Sequence, residues 1–283
     1  MKKRIITAIV CLALLVPTLI FSDTWVFPAV MTLLALIAVY EICGCIGVRK
    51  AFFISIPAYI VTAAVMLLII YCRDKKLFLP IVCASALAFM FIVFTVSMLS
   101  SGNIRFSQSA ELVSFTAYII TGFLSILLLR EADMGKYLYL LVFIGAWSTD
   151  TGAYFVGVLF GKHKLIPEVS PKKTVEGAFG GVLGCVLGFV IYGFIISKIH
   201  PEISVNYLLL VLLALAVAVI SQLGDLIASF VKREQGIKDF GFIFPGHGGV
   251  MDRFDSIIAA YIHSFALCDE GYIYFYLKGF SNG

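Results

Sequence analysis

Charge is the scarcest property of this chain. Only 13% of its 283 residues are Asp, Glu, Lys or Arg, while 61% are apolar; a soluble domain carries about 25% charged residues. With a mean hydropathy of +1.04 and apolar runs near 20 residues recurring along it, the chain reads as a polytopic membrane protein with no separate soluble domain. Cysteine is sparse in pattern rather than number. Seven are scattered, mostly inside apolar runs; no CxxC exists, and Cys43-Gly-Cys45 is too tight for an ordinary metal pair. Neither a disulfide framework nor a thiolate metal site is expected. MKKR and the apolar run behind it lack a following small-x-small cleavage site, and Trp25 opens a second apolar run at once. An uncleaved first span is expected. No repeat, low-complexity run or linker stands out.

What is there, in quantity, is membrane helix. The hydrophobic pattern predicts an all-α helical bundle of about nine transmembrane helices, over 5–21, 25–47, 51–71, 77–99, 112–130, 137–160, 176–197, 206–231 and 250–268. Residues 1–135 make N-terminal membrane helices and 136–283 a catalytic half with cytoplasmic loops, in one continuous membrane domain. With the N-terminus inside, 14 Lys and Arg fall on the inner side and 7 on the outer. The bias favours N-in and C-out, although the Arg73–Lys76 cluster runs against it. Either way, two spans separate the 161–175 loop from the 232–249 loop, so these share a face; N-in makes that face cytoplasmic. Gly180, Gly184 and Gly188, four apart, predict a close helix-packing stripe on the seventh span.

Polar chemistry is concentrated in Ser229 to Asp255, SFVKREQGIKDFGFIFPGHGGVMDRFD. These 27 residues hold Lys232, Arg233, Glu234, Lys238, Asp239, His247, Asp252, Arg253 and Asp255. Basic groups for phosphate, carboxylates for a hard cation and a glycine turn for backbone approach are the parts of a nucleotide-handling site. Flanked by Gly246 and by Gly248-Gly249, His247 sits where backbone N–H groups can meet a phosphate.

Charged residues inside spans are costly and mark function by default. Asp150 in WSTDTGAYFVG and Asp225 in SQLGDLIASF both fall near the inner ends of their spans. Asp225 and Ser229 are four apart on one helical face; Asp252 and Asp255, three apart, open the ninth helix. Carboxylates converging at that depth repel unless a cation sits among them, and magnesium suits one or two carboxylates with water and phosphate oxygens. The bland alternatives are that Asp225 hydrogen-bonds locally and that Asp252 pairs with Arg233 or Arg253. In the second loop, Ser170-Pro-Lys172-Lys173-Thr174-x-Glu176 places two lysines, a hydroxyl and a carboxylate before a helix whose free N–H groups suit an anion, with Thr174 as its N-cap. Such a loop also serves as a topology determinant or an anionic-lipid contact. Glu41, His163, His200 and His263 have no evident partner and read as structural.

The run S-x-V-K-R-x4-K-D-x-G-x2-F-P-G-H-G-G-V-x-D-R-F-D, Ser229 to Asp255, resembles the signature of the phosphatidate cytidylyltransferase (CDP-diacylglycerol synthase) family. The MKKRIITAIV start, WSTDTGAY, SPKKTVEG and SQLGD also resemble bacterial members. The resemblance implies a nucleotidyltransferase of phospholipid biosynthesis: CTP and phosphatidic acid give CDP-diacylglycerol and pyrophosphate, with magnesium and a monovalent cation such as potassium. It implies a homodimer among membrane lipids, multi-pass in the inner (plasma) membrane, with its site facing the cytoplasm and no nucleic-acid partner. Carried onto this chain, Asp225 and Asp252 hold the metal with Ser229 beside them. Lys173, Lys232 and Arg233 join them as catalytic groups. Asp150, Lys172, Thr174, Glu176, Lys238, Asp239, His247, Gly248, Gly249, Arg253 and Asp255 complete the substrate-binding set.

Two rivals stay in view. A CTP-using lipid kinase would release CDP instead of pyrophosphate. A cation-coupled transporter would need polar residues through both halves of the bilayer, whereas here they crowd toward one face. The D-G-x2-A-R arrangement of a CDP-alcohol phosphotransferase is missing.

Overall fold

The computed structural model describes residues 13–71, 75–132, 134–201, 203–246 and 248–269. Helix α1 covers 13–20, and α2 Val26–Cys45, α3 Phe52–Tyr71, α4 Lys75–Leu99, α5 Phe106–Glu131 and α6 Gly135–Phe160 follow. Then come strands β1 Lys164–Ile166 and β2 Ser170–Thr174, and helices α7 Val175–Ile199, α8 Tyr207–Glu234 and α9 Met251–Asp269. Among the described residues, six helices are long and apolar enough to cross a membrane: α2 to α5, α7 and α8. Helices α6 and α9 form over the segments expected for them but carry more polar residues, among them Asp150, Asp252, Arg253 and Asp255. Of the first expected span, 5–21, only the part from residue 13 lies within the described residues.

The chain divides into two compact units, Met1–Leu128 with Glu234–Phe254, and Leu129–Arg233 with Asp255–Gly283. In the first unit, α2 buries Phe27, Met31, Ala35, Ala38 and Ile42. Their spacing of three and four makes one apolar stripe along a 3.6-residue helix. At the C-terminal end of that stripe stands Glu41, 1% exposed. Helix α4 is the opposite case: Leu77, Leu79, Leu87, Phe91, Met98 and Leu99 are exposed. An apolar face of that extent is a liability in water and the normal surface of a helix in lipid.

In the second unit, α7 packs closely on α6 because its facing positions are glycines. A Cβ at Gly184 would lie 2.6 Å from the Ser148 carbonyl oxygen and 3.2 Å from Gly152 Cα, and one at Gly188 would lie 2.5 Å from Ser148 Oγ. The stripe of glycines read from the sequence is therefore a close helix contact, backbone to backbone at Gly184 and backbone to side chain at Gly188. Helix α8 joins at Gly145 of α6, where an added Cβ would meet Phe189 of α7 at 2.6 Å and Val217 of α8 at 2.9 Å. Helix α9 is tied to α6 by the Tyr261 hydroxyl, which donates to the Tyr139 carbonyl, and by an edge-on Phe143–Tyr261 pair with centroids 5.2 Å apart. An aromatic O–H buried in an apolar bundle needs such an acceptor.

One element departs from an all-α reading. The 161–175 loop is an antiparallel hairpin, with Lys164 opposite Thr174 and Ile166 opposite Ser170. Its first strand is three residues long and its second reads SPKKT. Neither offers an alternation of apolar and polar residues for sequence reasoning to detect.

Candidate active site

The hairpin delivers one of the two expected lysines to the site. Successive side chains on a strand point to opposite faces: Lys172 is exposed, while Lys173 is half-buried and its Nζ lies 2.6 Å from Asp225 Oδ2. Thr174 ends β2 and caps α7, its Oγ1 accepting from Gly177 N at 3.1 Å, as the sequence suggested. Glu176 does something the sequence did not suggest. Its carboxylate accepts from Lys162 N at 3.1 Å and His163 N at 3.2 Å, and lies 2.6 Å from His163 Nδ1. Glu176 thus clamps the chain entering the hairpin, and His163 gains a partner.

On α8, Asp225 follows Gly224, and that glycine permits the approach of α9. A Cβ there would be 2.5 Å from Ala259 Cβ and 2.9 Å from the Asp255 carbonyl oxygen. The crossing brings Asp255, 6% exposed, within electrostatic range of Asp225, Asp150 and Lys232. One turn below Asp225 on the same face, Ser229 Oγ lies 3.5 Å from Asp225 Oδ1. Lys232, 8% exposed, closes the buried stripe of α8; a cation this deep needs a counter-charge, and Asp255 supplies attraction. The second unit thus gathers Asp150, Lys173, Asp225, Ser229, Lys232 and Asp255: carboxylates on three helices, two lysines and a hydroxyl.

The remaining signature residues belong to the first unit, where Asp252 organises their loop. Its Oδ2 accepts from Phe240 N at 2.8 Å and from Gly249 N at 2.9 Å, and Phe244 N donates to the Gly248 carbonyl at 2.9 Å. Gly248 sits at φ +84, and a Cβ there would be 2.7 Å from Asp252 Oδ2, so both its backbone conformation and its neighbour require glycine. The Asp252 oxygen expected on a metal is thereby engaged by its own loop. Gln235 anchors the start of the loop, donating to Glu111 Oε2 at 2.9 Å. Arg233 in the second unit and Lys238 and Arg253 in the first are exposed, Asp239 is half-buried, and His247 lies outside the described residues.

The residue that sequence reasoning missed is Glu41. Left as structural with no partner, it accepts from Val250 N at 3.0 Å through Oε1 and from Met251 N at 2.9 Å through Oε2. A carboxylate in an apolar span was the available signal; its partners, 209 and 210 residues away in sequence, were not.

For a divalent ion, the second unit offers hard oxygen donors: the Asp225 carboxylate with Ser229 beside it, and Asp255 and Asp150 nearby. That chemistry fits magnesium, which takes one or two carboxylates and completes its octahedron with water and phosphate oxygens. Among the described residues, no three His, Cys, Asp or Glu side chains form a ready-made cage.

A profile of the Cytidylyltransferase family matches residues 2–269. The phosphatidate cytidylyltransferase of Staphylococcus epidermidis is 36% identical over 259 residues, covering 91% of this chain and 95% of the relative. Those of Staphylococcus haemolyticus and Staphylococcus aureus are each 34% identical, with the same coverage. With its whole described length inside the matched region and relatives of that similarity, the chain belongs to the Cytidylyltransferase family.

Proposed function

We propose that this chain is an enzyme that makes CDP-diacylglycerol and pyrophosphate from CTP and phosphatidic acid. One observation carries the reading: relatives named phosphatidate cytidylyltransferase align over 91% of this chain, including the Ser229–Asp255 signature. An oxygen of the lipid phosphate attacks the α-phosphorus of CTP, a new P–O–P bond forms, the α–β anhydride bond breaks, and pyrophosphate leaves. The lipid phosphate is ionised at neutral pH, so the chain need supply no strong base. The difficulty is repulsion between two anions, and the cationic side chains answer it.

Lys173, paired with Asp225 from a hairpin strand and half-buried, has an ammonium that can turn from Asp225 to an incoming phosphate. Lys232, held beside Asp255, adds positive potential from within α8. Lys172, Arg233, Lys238 and Arg253 are the exposed cations from the expected phosphate-binding set. Asp225 and Ser229, with Asp255 and Asp150 adjacent, would hold magnesium; bound there, the ion would neutralise phosphate charge and orient it. Potassium sharing the site, and Asp252 as a further ligand, follow from the family resemblance alone.

The apolar helices support a membrane protein, and the staphylococcal relatives support a bacterial one. About nine spans, an N-terminus inside, a site facing the cytoplasm from the inner membrane, and a homodimer complete the proposal, supported by the Lys and Arg bias and the resemblance. The deciding experiment is an assay of detergent-solubilised protein with CTP, phosphatidic acid and magnesium, following both products. CDP-diacylglycerol and pyrophosphate in equal amounts are expected. Release of CDP with a phosphorylated lipid alcohol would assign the chain to the kinase class instead.

A further inference from the structure

Glu41 lies on α2, far in sequence from every signature residue, yet both of its carboxylate oxygens are engaged at the start of α9. Oε1 accepts from Val250 N at 3.0 Å and Oε2 from Met251 N at 2.9 Å. The first N–H groups of a helix have no intrahelical acceptor, and a carboxylate there satisfies them and complements the helix dipole. Two glycines of the signature turn make room for it: a Cβ on Gly241 or on Gly249 would fall on the Glu41 carboxylate. At 1% exposure its carboxyl oxygens are cut off from water, and these backbone donors satisfy both of them. The next residue along α9 is Asp252, whose Oδ2 fixes Phe240 N and Gly249 N. Glu41, the first turn of α9, Asp252 and the glycine turn therefore form one hydrogen-bonded assembly within the first unit.

We infer that Glu41 is a positioning residue for the cytidylyl-transfer reaction, holding the Gly241–Asp252 turn in its reactive shape through the Val250 and Met251 amides. This rests on the activity proposed above. A residue acting through the turn, and not on substrate, sets how well the turn is preorganised. Its loss lowers kcat while the KM for CTP stays within a few-fold.

The test combines kinetics with amide hydrogen exchange on full-length protein in phosphatidylglycerol-containing micelles. In Glu41→Ala, exchange at 240–251 rises while exchange in α7 is unchanged, and kcat falls by about 10- to 100-fold, the range typical of removing a group that supports a site's ligands. Glu41→Gln, which keeps acceptor capacity at one oxygen, recovers part of the loss. Gly241→Ala is an independent probe, because Gly241 lacks a positive φ and the added methyl conflicts with Glu41. Shortening the acid in Glu41→Asp/Gly241→Ala restores activity above that of Gly241→Ala alone.

Unchanged exchange at 240–251 in Glu41→Ala overturns the inference, as does raised exchange with kcat within two-fold of wild type. If Glu41→Ala fails to fold, the Gln variant and the Gly241 pair decide: strictly additive effects in that pair overturn it. A wild-type protein that makes no CDP-diacylglycerol would overturn the proposed activity, and the kinetic role of Glu41 with it. The exchange measurement would still report whether Glu41 holds the turn.

Discussion

Lys173 Nζ and Asp225 Oδ2 are 2.6 Å apart, joining a hairpin strand to the C-terminal third of α8. The pair neutralises a carboxylate in a cluster that also holds Asp150 and Asp255. In the proposed reaction, the same lysine would meet an incoming phosphate. A cation poised on an acid that a metal can claim is a natural resting state for a site handling polyanions.

Asp225→Asn keeps the size of the side chain and removes its charge. Turnover should fall by at least about 100-fold, in line with losing a principal electrostatic group. The elution profile and melting temperature in detergent should stay near wild type. Measuring CDP-diacylglycerol formation at saturating magnesium checks this; activity above half of wild type would refute the assignment of Asp225.

The strand places Lys172 and Lys173 on opposite faces, so their alanine variants should differ. Lys173→Ala should lower kcat/KM for CTP by about tenfold or more, as expected for a charge-assisted contact worth 1.5–3 kcal/mol. Lys172→Ala should stay within about threefold, because exposed charges interact weakly. Equal effects from the two would show that the hairpin register is immaterial.

Glu176 holds the hairpin base through the Lys162 and His163 amides. Glu176→Ala should speed limited proteolysis within 161–174 and reduce activity more than His163→Ala does. The histidine variant removes the ring contact and leaves the backbone bonds in place. A larger defect in His163→Ala would reassign the clamp to the imidazole.

Gly184→Val forces a side chain into the backbone of α6. Overpacking of this kind costs about 1–3 kcal/mol, so the melting temperature should drop clearly. Leu183→Ala, at a lipid-exposed neighbour (59% exposed), should change it little.

Removing divalent ions with a chelator should abolish turnover, and magnesium should restore it. Calcium, which is larger and prefers more oxygen ligands, should restore it poorly. Full activity in chelator would remove the metal from the mechanism.

The sequence exposed much of this, and the reasons are physical. Helices in lipid announce themselves through long apolar runs, and α2 to α5, α7 and α8 lie where those runs fell. The spacing of Gly180, Gly184 and Gly188 foretold close packing because the helical period is fixed. Asp225 with Ser229 was legible for the same reason. The hairpin was hidden, since strands of three and five residues, reading KLI and SPKKT, carry no period-two signal. The difference between Lys172 and Lys173 follows from that strand and was hidden with it. The clamp made by Glu176 was hidden too, because nothing in the sequence says that the chain folds back to it at His163.

By itself, the order of residues determined that the chain is a helical membrane protein and that the family signature lies in the Ser229–Asp255 stretch. Hydropathy and helical periodicity are local, and a signature is contiguous, so neither needs coordinates. Only the tertiary structure decided which partner each acid meets. Asp225 meets Lys173, Asp255 gathers with it across the Gly224 crossing, Asp252 and Glu41 hold the turn, and Glu176 closes the hairpin. All are carboxylates and look alike in sequence. What separates them is which N–H, ammonium or carboxylate lies within a few ångströms, and that is set by contacts between residues tens to hundreds of positions apart.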